Sequence, residues 1–298
     1  MYFGVRLGAS AAAFVLLAAC ANAPLQETKN FATAVSELES ASTPLFDQLS
    51  VAERKIGKRQ AIRRASAVQA RGATLIRTFR VEDASYFATL GDPPSVTIFR
   101  RSFKVIQTYS ETLLALAENK SVAESQAHLQ SIADNLRLIA IAGGIAAAAN
   151  PLAAAIPVAV ANLEVPIGRA LAAQNAAEAR RLVLEGAPLI ADLISALRDA
   201  APSILATLTN DSATAMARAA AAGGNQAVQP HADQAALQVT QVANYVVLLE
   251  RLQNSFEAMM ISYDRPSNPI TLARLARETA LLAADAAAFR KAYHTLRL

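Results

Sequence analysis

The sequence predicts an all-α fold, an elongated antiparallel helical bundle with coiled-coil-like seams. Ala and Leu, both strong helix formers, supply much of an apolar content of 53%, whereas aromatic residues contribute 5% and Trp is absent. Apolar residues recur at alternating spacings of three and four, and β-branched clusters bounded by turn signals are scarce. The elements that support this prediction follow in chain order.

The chain opens with a single cation, Arg6, followed by an apolar run over residues 7–19. This run is too short for an ordinary membrane span and has the pattern of a secretory signal. It closes on Leu17-Ala18-Ala19-Cys20, and Cys20 is the only cysteine in the chain. The sequence therefore predicts an exported protein whose mature domain contains no disulfide.

Leu17-Ala18-Ala19-Cys20 resembles the lipobox of bacterial lipoproteins, a resemblance that covers residues 1–23 only. It implies a diacylglyceryl group on Cys20, cleavage between Ala19 and Cys20, and further acylation, for example by palmitate, of the new amino group. Two or three acyl chains anchor a protein firmly. The implied organisation is a signal peptide at 1–19, a lipidated tether at 20–30 and a helical domain at 31–298. Ala21 after the cysteine implies the outer membrane if the source is Gram-negative.

Two other interpretations of this region remain open. Ala21-Asn22-Ala23 could be an ordinary small-x-small cleavage site, although Pro24 would then follow the cut. Alternatively, Cys20 could be an incidental small residue of the signal.

Positive charge is concentrated in residues 51–120, where thirteen Lys or Arg face six acids. A solvated helix surface is one interpretation, and a binding surface is the other. Nucleic acid is not expected as a partner of an exported lipoprotein. Anionic lipid, lipopolysaccharide or an acidic envelope protein would suit a basic surface.

Helical pattern begins near Phe31, and Pro44 predicts a kink or the first turn of a new helix. Gly72 interrupts the pattern, and Gly91-Asp92-Pro93-Pro94 is the clearest break, after which Ser95 could cap the next helix.

The most regular seam combines three- and four-residue spacing with one polar interruption, Ser110; its apolar members are Val96, Phe99, Phe103, Ile106, Leu113 and Ala117. Ser121 and Glu124 form a capping-box pattern that opens the following helix. Because the connection between the two helices is short, we predict an antiparallel hairpin. The second helix carries Val122, Leu129, Ile132, Leu136 and Ile139.

Residues 138–163 contain no charge and have the length of a membrane span, but Asn150-Pro151 divides them. We expect their small side chains to allow close helix packing inside the bundle. The alternative is an insertable apolar hairpin, which resembles in outline the membrane-entering tongue of α-helical pore-forming toxins.

Gly223-Gly224-Asn225 with Pro230 predicts a loop, a candidate hinge and a possible subdivision near residues 223–231. Two long helices close the chain, and each has one seam. The first seam is Val242, Tyr245, Leu249, Leu252, Phe256, Met259 and Tyr263; the second is Leu272, Leu275, Leu282, Ala286, Phe289 and Tyr293.

Residues that could carry chemistry are few. Glu124 and His128 lie one turn apart and could supply two metal ligands, but a surface pair is the simpler interpretation; His231 falls in the predicted loop and His294 near the end. Tyr109, Tyr245, Tyr263 and Tyr293 are expected to be core residues with hydroxyls at its edge. No phosphate-binding or dinucleotide motif occurs, so we predict no metal, cofactor or catalytic residue.

These observations predict a non-enzymatic, membrane-anchored envelope lipoprotein whose helical domain binds or scaffolds other components. One alternative is a membrane-active, pore-forming-like protein that uses residues 138–163. The other is a cryptic envelope hydrolase acting on wall or lipid, since paired acids cannot be recognised without the fold.

Overall fold

The structure is a computed structural model that describes residues 25–69, 80–147, 155–222, 225–265 and 268–295. These residues form helices and turns without a β-strand, which confirms the predicted all-α class. In chain order the elements are α1 (Leu25–Gln69), a 3₁₀ turn (Val81–Asp83), α2 (Ala84–Phe87), α3 (Pro94–Ala117), α4 (Val122–Ala147), α5 (Ala155–Leu171), α6 (Ala176–Glu185), α7 (Ala187–Asp199), α8 (Ala201–Ala221), α9 (Asn225–Asp264) and α10 (Pro269–Thr295).

Helix α1 packs against α3, α9 and α10. It begins at Leu25, so the last part of the expected tether is already helical, and it continues through Pro44 without ending there. The Tyr293 hydroxyl of α10 donates to the Pro44 carbonyl oxygen at 2.8 Å. Pro44 therefore does not start a new helix, and the predicted kink at Pro44 stays a prediction. Gly72 lies outside the described residues.

The predicted hairpin of α3 and α4 is confirmed, since the two helices pack along their length. Seam residues Val96, Phe103 and Ile106 of α3 are fully buried, as are Leu129 and Ile132 of α4. The Glu124 amide donates to Ser121 Oγ at 3.2 Å, which is the forward half of the predicted capping box. The Glu124 carboxylate, however, accepts from Lys120 Nζ at 2.9 Å.

The charge-free residues 138–163 belong to α4 and α5, which pack against each other. A Cβ on Gly143 would lie 2.5 Å from Pro157 Cγ, so the two helices approach as closely as glycine permits. Ile139, Ile156 and Val160 are fully buried. The predicted division at Asn150-Pro151 lies outside the described residues. Among the helices that are described, none combines the length and the apolarity needed to cross a membrane.

Helices α9 and α10 bury the two predicted C-terminal seams, including Tyr245, Phe256 and Phe289. Helix α9 begins at Asn225 and contains Pro230, so the predicted loop around Pro230 and His231 is wrong. Pro230 is the sixth residue of α9, so the helix continues through a position where proline removes one intrahelical hydrogen bond. Gly223 and Gly224 lie outside the described residues.

One hydrophobic core joins the described helices. It includes residues on both sides of the proposed subdivision near 223–231, from Phe31 in α1 to Tyr293 in α10. At its centre the Phe46 ring stacks on Phe99 at 5.8 Å and meets the edge of Tyr245 at 5.8 Å. The helices on both sides of 223–231 therefore share one apolar interior.

Candidate functional site

A cavity of about 230 Å³ lies between α1, α2, the start of α3 and α8. One face of α1 and one face of α8 form opposite walls, and the lining residues of each wall recur every three or four positions. Its lining consists of Glu53, Ile56, Gly57, Gln60, Tyr86, Ser95, Ser203, Ala206, Thr207 and Asn210. Its lining includes a buried carboxylate, Glu53, and we take it as the candidate binding site.

Glu53 is the charged group of this cavity and is only 8% exposed. Its two carboxylate oxygens accept from the backbone amides of Ser95 at 3.0 Å and Val96 at 3.3 Å. The N-cap position of α3 is Pro93, which has no side-chain cap, and Ser95 lies inside the first turn. The prediction that Ser95 caps α3 is therefore wrong, because Glu53 of α1 satisfies these amides from a distance.

Burial raises the pKa of Glu53 above its ordinary value of 4.5, and the hydrogen bonds from Ser95 and Val96 oppose that rise. Burial together with the nearby carboxylates of Glu53 and Asp83 raises the pKa of Tyr86 to about 12. The Tyr86 hydroxyl therefore stays protonated, as a hydrogen-bond donor, at neutral pH.

The close approach of α2 to α1 depends on Gly57. A Cβ on Gly57 would lie 2.4, 2.5 and 2.8 Å from three ring carbons of Tyr86. Tyr86 itself is buried and closes one side of the cavity. No pattern in the sequence marks Gly57, whose physical role is to leave room for this ring.

On the opposite wall, α8 contributes a neutral polar face. Thr207 Oγ1 donates to the Ser203 carbonyl oxygen at 2.9 Å, so this hydroxyl is partly satisfied within its own helix. A buried carboxylate held by two amides, with hydroxyl and amide groups opposite, can hold a small polar molecule by hydrogen bonds.

Many cations of the basic segment 51–120 are engaged within the bundle. Arg54 donates to the carbonyl oxygens of Ala88 and Gly91; ion pairs join Lys55 and Arg59 to Asp211, Arg64 to Asp83, and Arg100 to Asp47 and Asp92. Although burial alone would raise it, the hydrogen bonds and charges of Lys55 and Arg59 hold the pKa of Asp211 below 3.8. These contacts favour a structural role for these five cations.

The other predicted positions are distributed over the bundle. Glu124 bonds Lys120, while His128 Nδ1 lies 3.9 Å from Glu111 Oε2, so the Glu124 and His128 pair is not assembled as a metal site. No group of three metal-ligating side chains occurs in the part of the chain that the structure describes. His231 lies in α9, and the side chain of His294 lies outside the described set.

The four tyrosines lie in or beside the core, but their hydroxyls are not all at its edge. The Tyr109 hydroxyl is buried and donates to the Val183 carbonyl oxygen at 2.7 Å. Tyr245 is fully buried, and burial raises the pKa of its hydroxyl. The Tyr263 hydroxyl lies 3.1 Å from Thr28 Oγ1. Tyr109 and Tyr245 thus depart from the expectation.

Ala19 and Cys20, the predicted cleavage and lipidation positions, lie outside the described residues. Neither a protein-family model, nor a curated protein, nor a solved structure matches this chain.

Proposed function

We propose that this chain is a lipid-anchored protein of the cell envelope whose helical bundle binds or scaffolds other envelope components without catalysing a reaction. The lipobox-like Leu17-Ala18-Ala19-Cys20 supports the anchor. The observation that carries the proposal is the small number of residues between Cys20 and the first residues of α1 that pack into the bundle.

Helix α1 is held from its first turns. Lys29 Nζ lies 2.8 Å from Glu118 Oε1, Thr28 Oγ1 lies 3.1 Å from the Tyr263 hydroxyl, and Phe31 is fully buried. Between Cys20 and Leu25, the fully extended backbone reaches at most about 18 Å. An acylated Cys20 would therefore keep this end of the bundle close to the membrane surface.

The test is metabolic labelling with a palmitate analogue, followed by separation of membrane and soluble fractions. The wild-type chain and a Ser10→Ala control, which alters the signal but not the motif, should incorporate label and stay with the membrane. Cys20→Ser should incorporate none and retain its signal. Label on Cys20→Ser, or an unlabelled wild-type chain of mature size, would contradict the proposal.

The membrane-active alternative assigns residues 138–163 to the bilayer. In the bundle, this stretch supplies buried Ile139, Ile156 and Val160 and the Gly143 contact with Pro157, so insertion would expose part of the core. We expect dye release from liposomes to stay at background. Release that Ile139→Asp abolishes would favour the alternative, whereas wall or lipid clearing in a zymogram would favour the hydrolase interpretation.

A further inference from the structure

Exposed apolar side chains and cations occur together on one surface of α1 and the adjoining 3₁₀–α2 segment. Val51 and Ile62 of α1 are exposed, and so are Phe87 and Leu90 beside it; Leu90 is 87% exposed. We propose that this surface, the distal patch formed by Val51, Lys58, Ile62, Phe87 and Leu90, docks onto the headgroup layer of an anionic lipid membrane. The proposal rests on the lipid anchor only for its location in the envelope.

The α1 side of the distal patch is one stripe. At 100° per residue, Val51, Lys58 and Ile62 point within about 40° of one another. Val51 is 69% exposed and Ile62 is 58% exposed. A face that combines apolar and basic residues can insert its apolar side chains at the boundary between headgroups and acyl chains. Its cations can then contact the lipid phosphates.

The second side of the patch is fixed against the first. Lys58 Nζ lies 5.9 Å from the centroid of the Phe87 ring. The Arg54 guanidinium donates hydrogen bonds to the carbonyl oxygens of Ala88 and Gly91. Asp83, just before α2, is paired with Arg64. Phe87 and Leu90 are therefore presented by a segment tied to α1 by charge-assisted hydrogen bonds.

The charge of the patch distinguishes an anionic lipid from a neutral apolar partner. In the described part of the chain, neither Lys58 of the patch nor the exposed Arg63, which points about 100° further round α1 from Ile62, forms an ion pair with a carboxylate, whereas Lys55 and Arg59 share Asp211. Residues 51–66 and 80–92 contain seven cations and four acids, of which Glu53 and Asp83 are buried. Lys and Arg side chains near an anionic bilayer are attracted to its charged headgroups.

The patch lies far from the anchored end of the molecule. Lys58 is about 50 Å along α1 from Leu25 at the rise of an α-helix. If Cys20 is acylated, the patch reaches the anchoring membrane when the bundle lies along its surface, or it reaches a second membrane when the bundle stands upright. In both geometries the patch contacts anionic lipid headgroups. Only the upright geometry would link one vesicle to another.

Radical footprinting of the full-length lipidated protein tests the docking. The protein is reconstituted in phosphatidylcholine vesicles with or without phosphatidylglycerol, and oxidation of Phe87 and Leu90 is followed by mass spectrometry. Val158 of α5, which is 64% exposed, is the internal reference. We expect oxidation of Phe87 and Leu90 to fall several-fold only on the anionic vesicles, with Val158 unchanged and the protection lost at high salt.

A double charge reversal supplies the specific control. Lys58→Glu with Arg63→Glu should abolish the protection, whereas Arg137→Glu with Arg169→Glu, which reverses two exposed cations on α4 and α5, should preserve it. Equal oxidation on both kinds of vesicle, or protection that survives the first pair, would overturn the proposal. Protection in solution without vesicles would also overturn it, because it would indicate self-association through the patch.

Two further measurements distinguish the geometry and isolate the anchor. Vesicle clustering together with protection indicates a second membrane, and protection on dispersed vesicles indicates contact with the same membrane; both support docking. Flotation of the protein with neutral vesicles reports on the acyl anchor alone. If flotation fails, the lipid-anchor proposal fails, while the chain without lipid should still gain protection on anionic vesicles.

Discussion

Glu53 shows how a side chain of one helix can satisfy the first amides of another. Its carboxylate accepts hydrogen bonds from the first free amides of α3, those of Ser95 and Val96. Glu53 lies 42 residues before Ser95 in the chain. Orphan amides at a helix start are usually satisfied by the local N-cap residue, and the sequence offered Ser95 for that role. A carboxylate supplied by a distant helix has no local signature, so the sequence could not identify Glu53.

The pH dependence of stability tests this environment. Because the folded-state pKa of Glu53 is raised, the folded chain binds this proton more tightly than the unfolded chain. The free energy of unfolding should therefore fall as pH rises from 4.5 through the raised pKa and become constant above it, relative to Glu53→Gln. Urea titrations of both chains across this range measure the difference. A difference that rises with pH would contradict the assigned environment.

Gly57 provides a second test at the residue scale. Gly57→Ala should destabilise the protein by about 1–3 kcal/mol, since its Cβ must displace the Tyr86 ring and overpacking costs more than helix propensity returns. Gly168→Ala is the matched control, because nothing lies within 4 Å of a Cβ at that position. It should be neutral or stabilising by up to about 1 kcal/mol. Equal effects in urea unfolding would show that Tyr86 does not pack on α1 as described.

At the scale of elements, periodicity predicted well where one helix packs against a sequence neighbour. The seam of α3, the hairpin with α4 and the two C-terminal seams were predicted from spacing and are buried. Prediction failed where a helix continues through a proline: Pro44 does not start a new helix in α1, and Pro230 does not lie in a loop before α9. The sequence specifies the cost of a proline, but the surrounding packing decides whether the helix continues.

The contact between α4 and α5 can be tested with adjacent glycines. Gly143→Ala places a Cβ 2.5 Å from Pro157 Cγ and should destabilise the protein by about 1–3 kcal/mol. Gly144→Ala has nothing within 4 Å and should be neutral or stabilising by up to about 1 kcal/mol. Thermal unfolding of the pair measures the difference directly. If the two variants melt together, residues 138–163 are not packed as this hairpin.

At the scale of the whole molecule, a single apolar interior connects α1 with α9 and α10. The Phe256 ring of α9 lies 6.0 Å from Phe31 of α1 and 6.1 Å from Tyr109 of α3. The candidate cavity lies at the edge of this interior, and its walls come from helices far apart in sequence. Helical spacing could predict each wall but not which walls face each other, because that depends on the three-dimensional arrangement of the helices.

A shared core predicts cooperative unfolding of the bundle. Far-ultraviolet dichroism and the near-ultraviolet signal of the tyrosines should report the same midpoint in urea, and Phe256→Ala should lower both by the same amount. A mutation at that junction should cost about 3–5 kcal/mol. Two separated transitions would instead support a subdivision near residues 223–231.

The central claim is that the bundle is tethered to a membrane through Cys20, and intact-mass measurement of the protein purified from membranes tests it most directly. We predict a chain whose first residue is Cys20, with a mass increased by two or three acyl chains and reduced stepwise when the ester-linked chains are removed by alkali. A mature chain that begins at Pro24 and carries no lipid would contradict the account.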